Sequence, residues 1–144
     1  MVGESFDQIT IGRSQRRSST CREEVDRVLP NGIEPTNEHL LDLLVCEAII
    51  NDQLRLYSPT PFFSRFWMRE HMIDTECQIL DLWSRPLEFD YTRWMRDPKT
   101  GLKPKLPHPF SYPPFAAGPR NCIGQIFALL EAKTMLAMYV YTKT

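Results

Sequence analysis

The chain has 144 residues, of which 42% are hydrophobic and 24% charged, and its formal net charge is -1. This length allows one core of modest size, and the hydrophobic fraction is typical of a folded chain rather than a disordered one. The nearly neutral charge provides no strong field for a polyanionic partner. No run of about eighteen apolar residues and no secretory signal peptide is visible, so the sequence predicts no membrane span.

The four cysteines, Cys21, Cys46, Cys77 and Cys122, are far apart in the sequence. No C-x-x-C pair and no Cys–His pair at zinc spacing occurs, and the three histidines are scattered singly. The pattern therefore does not indicate a disulfide framework, and a reducing compartment is the simpler interpretation. The sequence identifies no particular cellular location.

The N-terminal residues, 1–20, are polar and lack a sustained period, and they include three arginines between positions 13 and 17. They are typical of a flexible basic tail. A solvated end is favoured over nucleic-acid binding, so no nucleic-acid partner is expected. Residues 21–30 are predicted to be the last turns of a helix, which Pro-Asn-Gly at positions 30–32 ends.

A second helix is predicted to begin after Thr36, whose hydroxyl can cap it, and to reach about Tyr57 with a break near Leu44. Its apolar side chains form one broad face. Asp52 and Arg55 are three residues apart in this helix, which permits a salt bridge along one face. An ordinary surface pair has the same spacing and would contribute little.

A proline-rich stretch, residues 98–119, holds seven of the twelve prolines. Proline excludes a helix interior or a central strand, so the stretch is predicted to be an ordered meander. A proline-rich ligand for a partner is the alternative. The large apolar side chains between the prolines, such as Phe110 and Tyr112, favour packing.

The most informative segment runs from Phe115 to Gly124 and reads F-x-x-G-x-R-x-C-x-G. It places a thiol at the entrance of a predicted helix, Gln125 to Tyr141, with a cation two residues before it. A helix N-terminus and a nearby arginine both stabilise negative charge, which favours a thiolate that acts as a ligand or a nucleophile. The alternative is a buried free cysteine before an amphipathic helix.

In that helix one face is predicted to carry Ile126, Phe127, Leu130, Met138 and Tyr141. Phe127 and Leu130 are expected to lie against a bound group or the core. Met135 and Met138 are expected in the core.

The cysteine segment resembles the haem-binding loop of cytochromes P450, a family whose Cys thiolate is the haem-iron ligand. The resemblance implies that Cys122 binds the iron of haem b. Gly118 and Gly124 would let the backbone approach the flat macrocycle, Arg120 would donate to a propionate, and Phe115 would cover the sulfur side.

Two other segments are similar to the same family. Asp52 and Arg55 stand where it has E-x-x-R, and residues 86–94, PLEFDYTRW, resemble its P-x-x-F-x-P-x-R segment with Tyr in place of the second Pro. This implies that Arg93 joins Asp52 and Arg55 in a structural ion network, which the shorter Asp side chain is expected to weaken. Arg65 matches an arginine that contacts a propionate, and a strand-edge arginine is an equal alternative.

The resemblance covers about residues 21–144. It implies a mainly α, partial cytochrome P450 fold with a K helix, a meander, a Cys-ligand loop and an L-helix region, and with little β structure. It also implies a haem-thiolate monooxygenase that inserts one atom of O2 into a small apolar substrate, with electrons from an NADPH-dependent reductase or another donor.

The long helix with which this family activates oxygen has no counterpart in the sequence. The chain is therefore expected to be incomplete, and the alternative function is a catalytically inactive haem-binding or interaction fragment. Complete members of the family are often anchored in the endoplasmic reticulum membrane.

Overall fold

A computed structural model describes residues 19–59, 82–109 and 111–142. Within them lie helix α1 (19–28) and three further α-helices, α2 (Asn37–Asp42), α3 (Leu44–Leu56) and α4 (Gln125–Thr142). Short 3-10 helices cover Pro30–Gly32 and Tyr91–Trp94. These residues contain no strand, so the mainly α architecture predicted from the sequence is confirmed for this part of the chain. Residues 19 and 20, which the sequence predicts to belong to the flexible tail, are part of α1.

Local signals place the helix ends close to where the sequence predicts them. The Thr36 hydroxyl accepts a bond from the His39 N–H, and the His39 ring accepts one from the Thr36 N–H. This reciprocal cap starts α2. The predicted break lies at Leu43, whose ψ of 73° separates α2 from α3. Asn31 and Gly32 follow α1 with φ of 59° and 67°, and this left-handed backbone ends the helical path.

The core lies where α1, the α2–α3 pair and α4 meet. Two long-range polar contacts hold these helices together. The Glu24 carboxylate of α1 accepts bonds from the N–H groups of Val45 and Cys46 at 2.8 and 2.9 Å, so it caps the first turn of α3. The apolar side chains buried around these contacts are Cys21, Val25, Leu29, Leu40, Leu43, Val45, Cys46, Ala137 and Val140.

A buried lysine attaches α4 to the α2–α3 pair. Lys133 Nζ donates to Glu47 Oε2 at 2.9 Å and to the Leu40 carbonyl at 3.0 Å. Burial would raise the pKa of Glu47, but hydrogen bonds from Lys103 and Lys133 and their charges outweigh it, so its pKa lies below the usual value.

The buried face of α4 agrees only in part with the one predicted: Leu130 packs against the core, but most of the other large apolar side chains do not. Lys133, Ala137 and Val140 are buried, whereas Phe127 is 72% exposed. Met135 and Met138 are 65% and 56% exposed, so the prediction that they lie in the core is wrong. We attribute the orientation to the acceptors that Lys133 reaches and to the small Ala137 side chain, which permits close helix approach.

None of the helices in the described ranges has the length and apolar run that a membrane span requires.

Candidate functional site

Asp52 is the centre of a buried polar network. Its side chain is fully buried, and Oδ1 accepts bonds from Arg55 Nε at 2.8 Å and from Trp94 Nε1 at 3.0 Å. Oδ2 accepts a short bond from the Asp90 N–H. The carboxylate therefore joins α3 to the segment around the 3-10 helix Tyr91–Trp94. The Asp52 side chain is one methylene shorter than the Glu of the E-x-x-R pattern, yet both of its carboxylate oxygens have hydrogen-bond partners.

Arg55 is equally well satisfied. Its side chain is 4% exposed, and besides Asp52 it donates to the carbonyls of Pro86 and Glu88, the latter at 2.8 Å. Its guanidinium also lies over the Trp83 ring, 5.4 Å from the ring centre, a cation–π arrangement. A buried charged pair is tolerated only when such additional bonds complete it.

Arg93, which the sequence places in the same network, bonds elsewhere. Its guanidinium donates to the Ser84 hydroxyl at 3.2 Å and to the Arg85 carbonyl at 3.1 Å. Its Nε lies 4.0 Å from Asp90 Oδ2 and has no hydrogen-bond partner among the described residues. Arg93 thus bears on Asp52 only indirectly, through Asp90, whose backbone N–H binds the Asp52 carboxylate.

Three aromatic side chains pack beside this network: Trp83, Trp94 and Tyr112. The sequence pattern did not predict this aromatic layer. The Trp94 ring lies 5.5 Å from that of Trp83 and 4.4 Å from that of Tyr112, centre to centre. Tyr112 donates to Asn51 Oδ1 on α3 at 3.0 Å. Burial, together with the charges of Asp52 and Glu47, raises the pKa of Tyr112. The proline-rich meander is therefore packed onto α3, as predicted for this stretch.

The cysteine loop is closed by its own backbone. The Cys122 N–H donates to the Phe115 carbonyl at 2.9 Å, and the Asn121 N–H donates to the Gly118 carbonyl at 3.1 Å. Gly118 has φ of 88°, a conformation that favours glycine. The Cys122 carbonyl then accepts from the N–H of Gln125, the first residue of α4, at 3.4 Å. The loop therefore delivers the thiol to the N-terminal end of a long helix.

Space is left open around the thiol. Cys122 is exposed, and a Cβ added at Gly124 would lie 3.8 Å from its Sγ. Three large apolar side chains within five residues after the thiol are also exposed, in and just before the first turn of α4: Ile123, Ile126 and Phe127. Exposure of three large apolar side chains at one helix end indicates a binding surface.

Two arginines, Arg120 and Arg65, are predicted to bind the propionates. Arg120 is exposed, and in the described ranges no hydrogen bond or ion pair involves it. It stands two residues before Cys122, where its fork of donors is available to an external carboxylate. Arg65 lies outside the described residues.

These features fit a haem group. Cys122 is the exposed one of the three free thiols that the described residues contain, and the same residues hold no group of three or more His, Cys, Asp or Glu side chains arranged around a metal ion. A single protein sulfur suits a metal whose other ligands come from a macrocycle. The exposed apolar side chains that follow Cys122 and the Arg120 guanidinium match the apolar plane and the anionic edge of such a group.

Comparison with known proteins gives one consistent family. The cytochrome P450 family profile matches residues 78–141. The chain is 30% identical over 144 residues to cytochrome P450 3A27 of Oncorhynchus mykiss, covering 90% of this chain and 27% of that protein. It is 39% identical over 101 residues to probable cytochrome P450 4s3 of Drosophila melanogaster, covering 64% of this chain and 20% of that protein.

The fold gives the same result. The crystal structure of the cytochrome P450DA heme domain superimposes with a TM-score of 0.73 at 29% identity, over 94% of this chain and 32% of that one. The chain thus spans between a fifth and a third of the length of these relatives.

Proposed function

Because this chain belongs to the cytochrome P450 family, we propose that its cysteine loop binds haem b and that the Cys122 thiolate is the axial iron ligand. The observation that carries the proposal is the placement of Cys122: an exposed sulfur on a backbone-closed loop at the N-terminal end of α4, followed by exposed apolar side chains.

The neighbouring residues have separate tasks in this proposal. Gly118 forms the turn of the loop, and Gly124 keeps a side chain off the sulfur. Phe115 closes the loop through its carbonyl, and its ring would cover the sulfur side and exclude water. Arg120, and Arg65 beyond the described residues, would hold the propionates through charge-assisted hydrogen bonds. Each task can be tested by substitution.

In this proposal the Asp52–Arg55 network does not touch the haem, and it positions the segments that lead to the cysteine loop. It connects α3 to the segment from Pro86 to Trp94. Through the contact of Trp94 with Tyr112, it also fixes the meander that leads to the cysteine loop. Loss of the network is therefore expected to disturb haem binding without removing any group that touches the haem.

We propose that the whole protein is a monooxygenase. Haem bound through a thiolate supplies activation of O2, one atom of which is inserted into a small apolar substrate. Electrons would come from an NADPH-dependent reductase or a comparable donor. The described residues would contribute the sulfur and the loop that holds it at the start of α4.

The test is the absorption of the reduced, carbon monoxide-bound form after reconstitution with haem. Thiolate ligation shifts the main band to a markedly longer wavelength than imidazole ligation does. We expect the long-wavelength band in the unmodified chain, its loss in Cys122→Ser, and the imidazole-type band in Cys122→His. Cys77→Ser is the matched control and should retain the thiolate band. A thiolate band in Cys122→Ser would contradict the assignment.

The second candidate function, a haem-binding or interaction fragment without catalysis, is distinguished by turnover. The assay measures product from a panel of apolar substrates, with a reductase, NADPH and catalase present. Product formed in a fixed ratio to NADPH supports the monooxygenase, whereas haem binding with no substrate-dependent product supports the fragment.

A further inference from the structure

Two cysteines that are distant in sequence meet in the core, away from the cysteine loop. Cys21 of α1 and Cys46 of α3 are 25 positions apart, yet their Sγ atoms are 3.4 Å from each other. Both thiols are free, and their residues are 2% and 0% exposed. Neither has a part in the proposed haem site.

The contact is held in place by a second interaction between the same two helices. Glu24, one turn after Cys21, accepts bonds from the N–H groups of Val45 and Cys46. This bidentate cap fixes the start of α3 against α1 at the level of the sulfurs. The sulfurs need to approach by roughly 1.4 Å to reach the S–S bond length of about 2.05 Å. The Glu24 cap involves backbone N–H groups and neither sulfur, so the approach of the sulfurs does not require it to break.

The two thiols are electrostatically different. The hydrogen bond between the two thiols lowers the pKa of Cys21 and outweighs the opposite effects of burial and of the Glu24 charge. The pKa of Cys46 is raised by that same hydrogen bond and by burial. A thiolate is the form that attacks a disulfide, so Cys21, the thiol whose pKa is lowered, is the expected nucleophile.

We propose that Cys21 and Cys46 form a reversible disulfide that cross-links α1 to α3, with a small-molecule disulfide such as oxidised glutathione as the oxidant. The Cys21 thiolate attacks one sulfur of the oxidant, which gives a mixed disulfide and releases one glutathione thiolate. The Cys46 thiol then loses its proton and attacks Cys21 Sγ, which forms the internal S–S bond and releases the second glutathione. Two thiols of the protein are oxidised, and one small disulfide is reduced to two thiols.

The bond would stabilise the folded chain. It closes a loop between positions 21 and 46 that contains α2, and it joins helices that already share the Glu24 cap. Closing a loop of this size restricts the unfolded chain, so we expect the midpoint of thermal unfolding to rise by on the order of 5–10 °C. Reducing conditions would return the protein to the state with two free thiols.

The experiment uses the full chain with Cys77→Ser and Cys122→Ser, so that only the two core thiols remain. The protein is equilibrated at several ratios of reduced to oxidised glutathione, in buffer and in urea, and trapped for mass spectrometry. We expect loss of two hydrogens, a proteolytic peptide pair joined through Cys21 and Cys46, and no glutathione adduct. The equilibrium constant should be at least roughly tenfold higher in buffer than in urea, because the fold and the bond stabilise each other.

The unmodified chain provides an internal comparison, which does not depend on how the double variant folds. In it the exposed Cys122 should take a glutathione adduct, whereas the Cys21 and Cys46 peptides should be joined to each other. An equilibrium constant in buffer no higher than in urea overturns the proposal. Glutathione adducts that persist on Cys21 or Cys46 of the folded chain at equilibrium overturn it too. Either result would mean that the two thiols only pack against each other.

Discussion

Asp52→Asn tests the buried network most directly, because it preserves the shape of the side chain and removes its charge. In the folded chain one carboxylate oxygen accepts from Arg55 and from Trp94, and the other accepts from the Asp90 N–H. An amide oxygen can keep the first two bonds. Its NH2 group would then face the Asp90 N–H, so that two donors oppose each other.

The cost follows from burial. The Asp52 and Arg55 side chains are 0% and 4% exposed, so the substitution leaves a buried guanidinium without its counter-ion. Removing one partner of a buried pair costs roughly 3–5 kcal/mol. Two backbone carbonyls still accept from Arg55, which places the expected loss near the lower end, about 3 kcal/mol. That is a large share of a typical stability of about 5–15 kcal/mol.

The measurement is urea unfolding followed by circular dichroism and tryptophan fluorescence. Glu88→Gln is the matched control, since it makes the same carboxylate-to-amide change in an ion pair with Arg85 whose side chains are 25% and 61% exposed. We expect the control to change the free energy of unfolding by less than about 1 kcal/mol. Equal losses in the two variants would refute the reasoning, since they would show that burial of the pair is not what sets the cost.

For Asp52→Glu, the sequence resemblance and the structure predict opposite changes in stability. The resemblance to E-x-x-R implies that a longer side chain would strengthen the network. In the structure both Asp52 oxygens already have partners and the side chain has no exposed surface, so an added methylene must displace Trp94 or the backbone at Asp90. We expect Asp52→Glu to lower the free energy of unfolding by about 1–3 kcal/mol. A gain in the same urea titration would favour the expectation from sequence.

Two further predictions concern the rest of the core. Gly32→Ala should destabilise the chain more than Gly101→Ala: both glycines have nearly the same positive φ, but a Cβ at Gly32 would come within 2.4 Å of the Tyr141 ring, whereas nothing lies within 4 Å at Gly101. The difference in free energy of unfolding measures this overlap, and equal losses would show that the ring moves away freely. The pKa of Glu47 is lowered in the folded chain, so its contribution to stability is present above its unfolded pKa of about 4.3 and is lost as pH falls through the folded pKa. The stability difference between the unmodified chain and Glu47→Gln should therefore shrink as pH falls from about 6 to below 4, and a difference that does not change with pH would contradict this assignment.

Much of the local structure could be predicted because its causes are local. The Thr36 cap, the break beside Leu44 and the helix that follows Cys122 depend on residues within a few positions of one another. The prolines of residues 98–119 exclude regular structure wherever they stand. The spacing of Asp52 and Arg55 likewise predicted a pair that the structure contains.

Other features depend on contacts between distant segments, and only the tertiary structure decides them. The pattern predicted Met135 and Met138 in the core, whereas α4 buries Lys133, which binds Glu47 and the Leu40 carbonyl on the other helices. Two hydrogen-bond donors to the Asp52 carboxylate come from a segment some forty positions later: the Trp94 ring and the Asp90 N–H. No sequence pattern marks the backbone N–H as a partner.

The cysteines also illustrate the difference between local features and features that depend on distant segments. The sequence by itself predicts a ligand role for Cys122, because the glycines, Arg120 and the helix start all lie within a few residues of it. It gave no sign that Cys21 and Cys46 are neighbours, since a separation of 25 positions leaves their distance to the packing of α1 on α3. That packing depends on the summed burial of many apolar side chains and on the Glu24 cap, which form only when the helices come together.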